Sequence, residues 1–394
     1  MKKSLFLFVS NIAGLNTGRG GHYYTVVDHY RFFSEKYLVK VVCIGYEIPL
    51  ALNGLEKDLI FIPYKNFLDV FKVINKVRSL FDSKECVNHA FDASAYLFVR
   101  MANFKKKSPL YFTKCGGAVR IGYTPSTHPD IVFHGEDYSH YKSLGAPLLD
   151  RVFLLIPNRV AADAVLVNKP KNLNLFPQEG INILRIARIC TKYSESIQQT
   201  INLCRALKLE GLSVNLAIIG YPEDKDLVNK FHAELKGLGD LYISDDVTLN
   251  ASRHLPEADI VIASGRGVME SSMLGKVTMI AARGRFFPVL LSEDIFEGAI
   301  YYNFSDRYAC FEKPDSIQEI LNILSFSENY KTHVNDALKL SQKYFSLGSV
   351  LSVYEDIYAN ESAASMVYSV KDIISHLFRF FIESIYRSVL KNDF

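Results

Sequence analysis

The six cysteines sit scattered at positions 43, 86, 115, 190, 204 and 310, and no two of them form a C-x-x-C pair. That pattern excludes a disulfide framework and a cysteine-ligated zinc site, and it fits reduced, buried thiols in a cytosolic protein. No run of about 18 apolar residues occurs, so no transmembrane helix is expected. The opening segment superficially resembles a secretory leader. Its apolar run covers only Leu5–Val9, however, and Asn11 follows directly; a first buried strand is expected there instead. The formal net charge is only +3, without the dense basic face of a dedicated nucleic-acid binder. Clustered basic residues still permit contact with an anionic membrane surface. No convincing Ser-His-Asp order or H-E-x-x-H zinc motif is present.

What is present is the composition of a folded protein: 49% hydrophobic and 22% charged over 394 residues. That length exceeds one ordinary core, so two domains are the default. Apolar runs of strand length alternate with segments of helical period. Strands are expected at Leu5–Ser10, Lys40–Ile44, Leu59–Ile62, Cys86–His89, Leu110–Thr113 and Ile131–Phe133. Unbroken apolar runs, rather than alternating ones, indicate parallel strands covered on both faces. After a segment with prolines at 157, 170 and 177 the rhythm restarts. The second set of strands is Ile183–Ala187, Asn215–Ile219, Leu241–Ile243, Ile260–Ala263, Val277–Ile280 and Ala299–Tyr302. The expected fold is α/β: two Rossmann-like domains facing a cleft, residues 1–165 and 166–350, with C-terminal helices over 351–394. Ligands would then bind at the carboxyl ends of the strands.

The last helix reads as amphipathic. Ile374, Leu377, Phe378, Phe381, Ile382, Ile385 and Val389 mark one face; His376, Arg379, Glu383 and Arg387 mark the other. Two placements are open. In the preferred one the helix crosses back onto the first domain. In the other it lies on a membrane surface, with Arg379, Arg387 and Lys391 meeting anionic lipid.

The stretch from Asp259 to Ile280 carries the most chemistry. A buried strand ends in a glycine loop (Gly265, Gly267), and a helix bearing Glu270 follows. Such a loop lets backbone N–H groups approach a phosphate or sugar closely. An acid one turn into the helix can accept hydrogen bonds from sugar hydroxyls. This is the outline of a nucleotide-sugar site, with Gly265, Arg266, Gly267, Val268 and Met269 as donor-binding positions, joined by Gly20 and Gly21 of the first domain. Arg188 and Lys192 follow the strand Ile183–Ala187, where a forked and a point cation can clamp a diphosphate. A second glycine loop, Gly18-Arg-Gly20-Gly21-His22, follows the first strand and opens a helix, an anion-binding turn without the G-x-G-x-x-G fingerprint. His22, His89, Lys114, His134 and Glu136 would line the first domain's side of the cleft. Asp224-Lys-Asp226 has the D-x-D form of a metal motif but stands at a helix start, where carboxylates stabilise the N-terminus; no metal site is expected, and no cofactor.

In these features the chain resembles bacterial glycosyltransferases of family 4, retaining enzymes of the GT-B fold. The likeness is diffuse and spans most of the length. Gly18–Gly21 looks like that family's N-terminal glycine loop. Leu110–Gly116 resembles its strand ending in Thr-x-His-Gly, with Cys115 at the histidine. Ile183–Lys192 looks like its strand ending in Gly-Arg, Val214–Tyr221 like its Leu-x-Ile-Ile-Gly-x-Gly strand, and Ala258–Ile280 like its donor block. The resemblance implies that Arg188 and Lys192 hold the donor diphosphate, and that Glu270, as the second acid of the E-x7-E motif, binds the ribose. The first acid of that motif falls at Ile262, a departure from the pattern. It also implies metal-independent transfer of a sugar, with retention, from a nucleotide sugar to a glycan or lipid-linked acceptor, in the cytoplasm or at the inner face of the membrane. Two alternatives stay open: a sugar-nucleotide epimerase working through His89, His134 and Glu136, and a non-catalytic sugar- or partner-binding protein, for which Ile262 speaks.

Overall fold

The computed structural model describes residues 2–12, 20–81, 86–103, 108–116, 128–144, 153–161, 174–176, 179–249, 251–309, 317–325, 327–359 and 370–390. Residues 16–19 of the first glycine loop, Gly117, Pro170, Pro177, Cys310 and Lys391 lie outside the described residues, as do the side chains of Glu383, Arg387 and Val389. Two compact units are present, residues 1–158 together with 350–394, and residues 159–349.

In the first unit the chain runs β1 (Ser4–Asn11), α1 (Gly21–Phe33), β2 (Leu38–Gly45), β3 (Leu59–Pro63), α2 (Val70–Ser79), β4 (Cys86–Ala90), α3 (Ala93–Ala102), β5 (Leu110–Lys114), β6 (Ile131–Val132), α4 (Gly135–Ser143) and β7 (Leu154–Leu155). The seven strands form one sheet in the order β3-β2-β1-β4-β5-β6-β7, and every pair is parallel. β4 is buried at every position; β1 is buried at most positions, the reason Leu5–Val9 reads as a continuous apolar run. The strand order reverses between β1 and β4. Asp92 pins this switch point: its carboxylate accepts from the Ser10 amide and hydroxyl, each at 2.6 Å, and from Ala95 N at 2.8 Å as the N-cap of α3.

The second unit runs β8 (Ile181–Ile186), α5 (Thr191–Leu209), β9 (Val214–Ile219), α6 (Lys225–Glu234), β10 (Gly239–Tyr242), α7 (Asp245–Thr248), β11 (Ile260–Ala263), α8 (Arg266–Met273), β12 (Val277–Ile280), β13 (Val289–Leu290), α9 (Glu293–Tyr301), α10 (Gln318–Ser325) and α11 (Ser327–Phe345). Its sheet order is β10-β9-β8-β11-β12-β13, parallel except for the antiparallel β12–β13 edge. Gly220 ends β9 where a Cβ would stand 1.9 Å from the Ala187 carbonyl oxygen, so only glycine lets the two backbones meet.

One expected strand is a helix. Ala299–Tyr302 closes α9, not a strand. Ser292 begins the helix in extended geometry, and Glu293 and Asp294 occupy its first turn, where carboxylates complement the helix dipole. Ile295, Phe296 and Ala299 then bury at helical spacing. The short strands β7 and β13 carry too few residues to show a pattern in sequence.

Two helices follow the second unit in the chain and pack in the first: α12 (Leu351–Ala359) and α13 (Val370–Leu390). The crossover reading therefore holds, but the buried face of α13 is not the one the periodicity marks. His376 and Phe380 are buried and Leu377 packs beside them, while Ile374, Phe378, Phe381, Ile382 and Ile385 are exposed. Phe380 stacks on Phe98 at 4.2 Å and meets Tyr64 edge-on at 6.1 Å. The helix is apolar over more than one face, so hydropathy alone does not say which side docks. Among the described residues no helix is long and apolar enough to cross a membrane.

Candidate functional site

The second unit's strand order reverses between β8 and β11, and the carboxyl ends of neighbouring strands at such a switch point open a crevice for ligands. The loops leaving these two strands carry Arg188 and Lys192 on one side and Gly265–Glu270 on the other. At Gly265 the backbone takes φ +55° and ψ −127°, a region open essentially to glycine. This bend starts α8 directly off β11. The Gly265 amide donates to Phe304 O at 3.1 Å, while the amides of Gly267 and Val268 already donate to Ser264 and Gly265 carbonyls at 3.3 and 3.1 Å. Met269 is buried beneath the loop.

Glu270 is largely buried on the second turn of α8. Its Oε1 accepts a 2.6 Å hydrogen bond from Arg266 Nε, four residues earlier. Arg266 and Glu270 are therefore mutually oriented. On the β8 side, Arg188 is exposed and pairs with Glu223 at 2.9 Å. Arg188 and Lys192 both lie over the ring of Tyr193, at 5.4 and 5.3 Å. Tyr193 thus gathers the two cations on one support. Asp224 is the N-cap of α6, its Oδ1 accepting from Asp226 N and Leu227 N at 3.0 and 3.1 Å.

Two features here escape sequence reasoning. Arg185, inside β8, is fully buried. Its Nη1 donates to Ile262 O at 3.1 Å, its Nη2 to Ser196 Oγ at 2.7 Å, and its Nε has no partner. Among the described residues no carboxylate pairs with it directly, and burial lowers its pKa to about 10. An arginine within an apolar run was the available signal. The second feature is Asn303-Phe304, both left-handed at φ 55° and 51°. Phe304 is buried, so a bulky residue holds a strained conformation beneath the Gly265 bend. The side-chain oxygen of Asn303 is buried without a partner.

In the first unit, Gly20 and Gly21 open α1, with Tyr23 N donating to Gly20 O at 3.0 Å. The His22 ring rests on Tyr23 at 3.9 Å, and burial lowers its pKa against the opposing pull of Asp92. His89 lies in the core with both nitrogens engaged, Nδ1 with the Tyr358 hydroxyl at 2.7 Å and Nε2 with Thr113 Oγ1 at 2.6 Å. Lys114 and His134 come together on a third residue, Asp137. Lys114 Nζ donates to Asp137 Oδ2, and His134 Nε2 lies 2.9 Å from the same oxygen. Burial pushes the Asp137 carboxyl up, but His134 and Lys114 together hold it below the ordinary range. His134 also caps α4, accepting from Asp137 N at 3.3 Å. Glu136 sits beside it in the first turn, half-buried. Sequence reasoning named Glu136 and missed Asp137; the third helical position after a capping residue was the signal.

No protein-family model matches the chain, and no curated protein matches it. Solved structures match over nearly its whole length. HepE of Anabaena, solved in complex with UDP, is 12% identical with a TM-score of 0.60, covering 91% of this chain and 100% of that one. A glycosyltransferase of Rickettsia africae is 13% identical with a TM-score of 0.60, over 91% of this chain and 98% of that one. An alpha-glucosyltransferase, solved with UDP-glucose and DNA, is 10% identical with a TM-score of 0.56, over 91% and 100%. The likeness is one of fold: this chain has the two Rossmann-like α/β units of the GT-B glycosyltransferases, with its last helices returned to the first unit.

Proposed function

We propose that this protein transfers a sugar from a nucleotide-sugar donor to a glycan or lipid-linked glycan acceptor, with retention of configuration. The observation that carries this reading is the reversal of strand order between β8 and β11, the strands whose outgoing loops bear Arg188 and Lys192 on one side and the Gly265 bend and Glu270 on the other. The neighbours of this fold that were solved with UDP or UDP-glucose support the donor class.

In this reading Glu270 accepts hydrogen bonds from the ribose hydroxyls, with Arg266 fixing its carboxylate. Arg188 and Lys192 take the charge that grows on the leaving diphosphate, so no metal is required. The acceptor hydroxyl attacks from the face the diphosphate leaves and gives its proton to that phosphate. Lys114, His134 and Glu136, with Asp137, belong to the acceptor side, as does His22, while the Gly20–Gly21 turn is assigned to the donor. Ile262 stands where the first acid of the donor motif is missing; the backbone and Asn303 beside Gly265 take over contact with the sugar hydroxyls.

The test is incubation of the full chain with a panel of labelled nucleotide sugars and glycan or lipid-linked acceptors. The expected result is acceptor-dependent release of nucleoside diphosphate, unaffected by EDTA. Epimerisation of the donor without transfer supports the epimerase alternative instead. Donor binding without turnover supports the non-catalytic one.

A further inference from the structure

The exposed side of α13 is continuous with a second apolar and basic surface. Phe67 joins them: its ring meets Phe381 at 5.5 Å, and its amide donates to Ser384 Oγ at 3.2 Å. Beside it, Leu68 is 80% and Phe71 58% exposed; on α13, Ile374 is 62% and Phe378 63% exposed. Ile382 and Ile385 extend the same stripe, since positions 374, 378, 382 and 385 recur at helical spacing. Large side chains left in water over two adjacent elements form a patch of the kind that marks an interaction site. The segment 65–80 adds charge of one sign. It holds Lys65, Lys72, Lys76 and Arg78 against a single acid, Asp69. That acid is engaged locally, accepting from the Lys65 and Asn66 amides at 2.9 and 3.2 Å and lying 3.9 Å from Lys72 Nζ. The three lysines are exposed.

We infer that this composite surface, the stripe of α13 together with Leu68, Phe71 and the lysines of 65–76, docks the first unit on an anionic lipid bilayer. The apolar side chains enter the interface while the lysines meet lipid phosphates. A second copy of the chain fits less well. A two-fold contact would set the basic rim against itself, whereas an anionic surface complements it. The inference does not rest on the transferase reading, because docking involves neither donor nor acceptor.

The test is flotation of the full chain with phosphatidylcholine vesicles prepared with and without phosphatidylglycerol. The expected result is partition onto the phosphatidylglycerol vesicles and little onto the neutral ones. The double variant Leu68→Ser, Phe378→Ser should lower that partition by at least about tenfold, with an unchanged melting temperature because both side chains are exposed. Lys72→Ala and Lys76→Ala should each lower it about fivefold, and salt should do the same to the wild type. The inference is overturned if the wild type floats with neither vesicle, or if the double variant binds as well as the wild type. It is also overturned if the wild type is a dimer that Phe378→Ser disperses while lipid binding is absent.

Discussion

The guanidinium of Arg185 donates to the carbonyl oxygen of Ile262 at 3.1 Å, across β8 and β11, between which the strand order of the second unit reverses. A fully buried cation with no direct carboxylate partner costs stability and projects its field into a region that water does not screen. The residues it reaches are Ser196, which stays bonded to Tyr193 O at 2.8 Å without it, and the Ile262 carbonyl. Arg185→Met should therefore leave the melting temperature unchanged or raise it. Affinity for the donor's nucleoside diphosphate should fall by roughly tenfold, about 1.4 kcal/mol, while affinity for its nucleoside holds. Calorimetric titration of both ligands and thermal melts decide it; a lower melting temperature with unchanged nucleoside diphosphate affinity makes Arg185 a structural residue only.

Glu270 and Arg188 should fail in different ways. Glu270 is held by Arg266 before any ligand arrives, so the role proposed for it is in binding. Glu270→Ala should weaken both nucleoside and nucleotide-sugar affinity by about tenfold, roughly 1.4 kcal/mol. Equal affinities in wild type and variant remove Glu270 from the donor site.

In the proposed transfer Arg188 serves charge that develops on the leaving diphosphate. Arg188→Ala should cost on the order of 10²–10³ in kcat with a smaller change in donor affinity. Its partner Glu223 is outside this role, and Glu223→Gln should retain most of the activity. If Arg188→Ala keeps more than about a third of the turnover, far short of that loss, the diphosphate is held elsewhere.

Burial, with a smaller push from His29, holds the His89 imidazole well below its ordinary value of 6.5. Below that value the unfolded chain takes up a proton that the folded chain refuses, so stability falls as the pH drops through about 6.5. Melting temperatures of the wild type should decline from about pH 7 to about pH 5.5. His89→Gln keeps polar contacts and does not titrate, so it should melt lower at neutral pH but with a flatter profile. The same slope in both proteins assigns the acid sensitivity to other groups.

The docked side of α13 gives a contrast within one helix. Phe380, stacked on Phe98, is fully buried, whereas Phe378 is exposed. Phe380→Ala should cost about 3–5 kcal/mol and Phe378→Ala less than about 0.5 kcal/mol. Chemical denaturation of the two variants measures the difference. Equal losses mean that the helix packs through the other face.

Most of the parallel strands are legible in the sequence because strands covered on both faces are predominantly apolar, as in β11. The bend at Gly265 is legible too, since glycine pairs after a buried strand announce a backbone turn that side chains forbid. Those signals are local: each depends on residues a few positions apart. The features that tertiary structure alone decided are pairings between distant segments. Arg185 is an ordinary cation in sequence and becomes a buried, unpaired one only when β11 and α5 close around it. Lys114 and His134 converge on Asp137 because β5 and β6 lie side by side. The run Ala299–Tyr302 has strand-like composition, yet the packing of Phe296 and Ala299 in the second unit's core makes it helical. On α13 the hydrophobic pattern shows that much of the helix is apolar. Which face meets Tyr64 and Phe98, and which is left to water, is set by the shape of the surface it lands on, and that shape is built by residues far earlier in the chain.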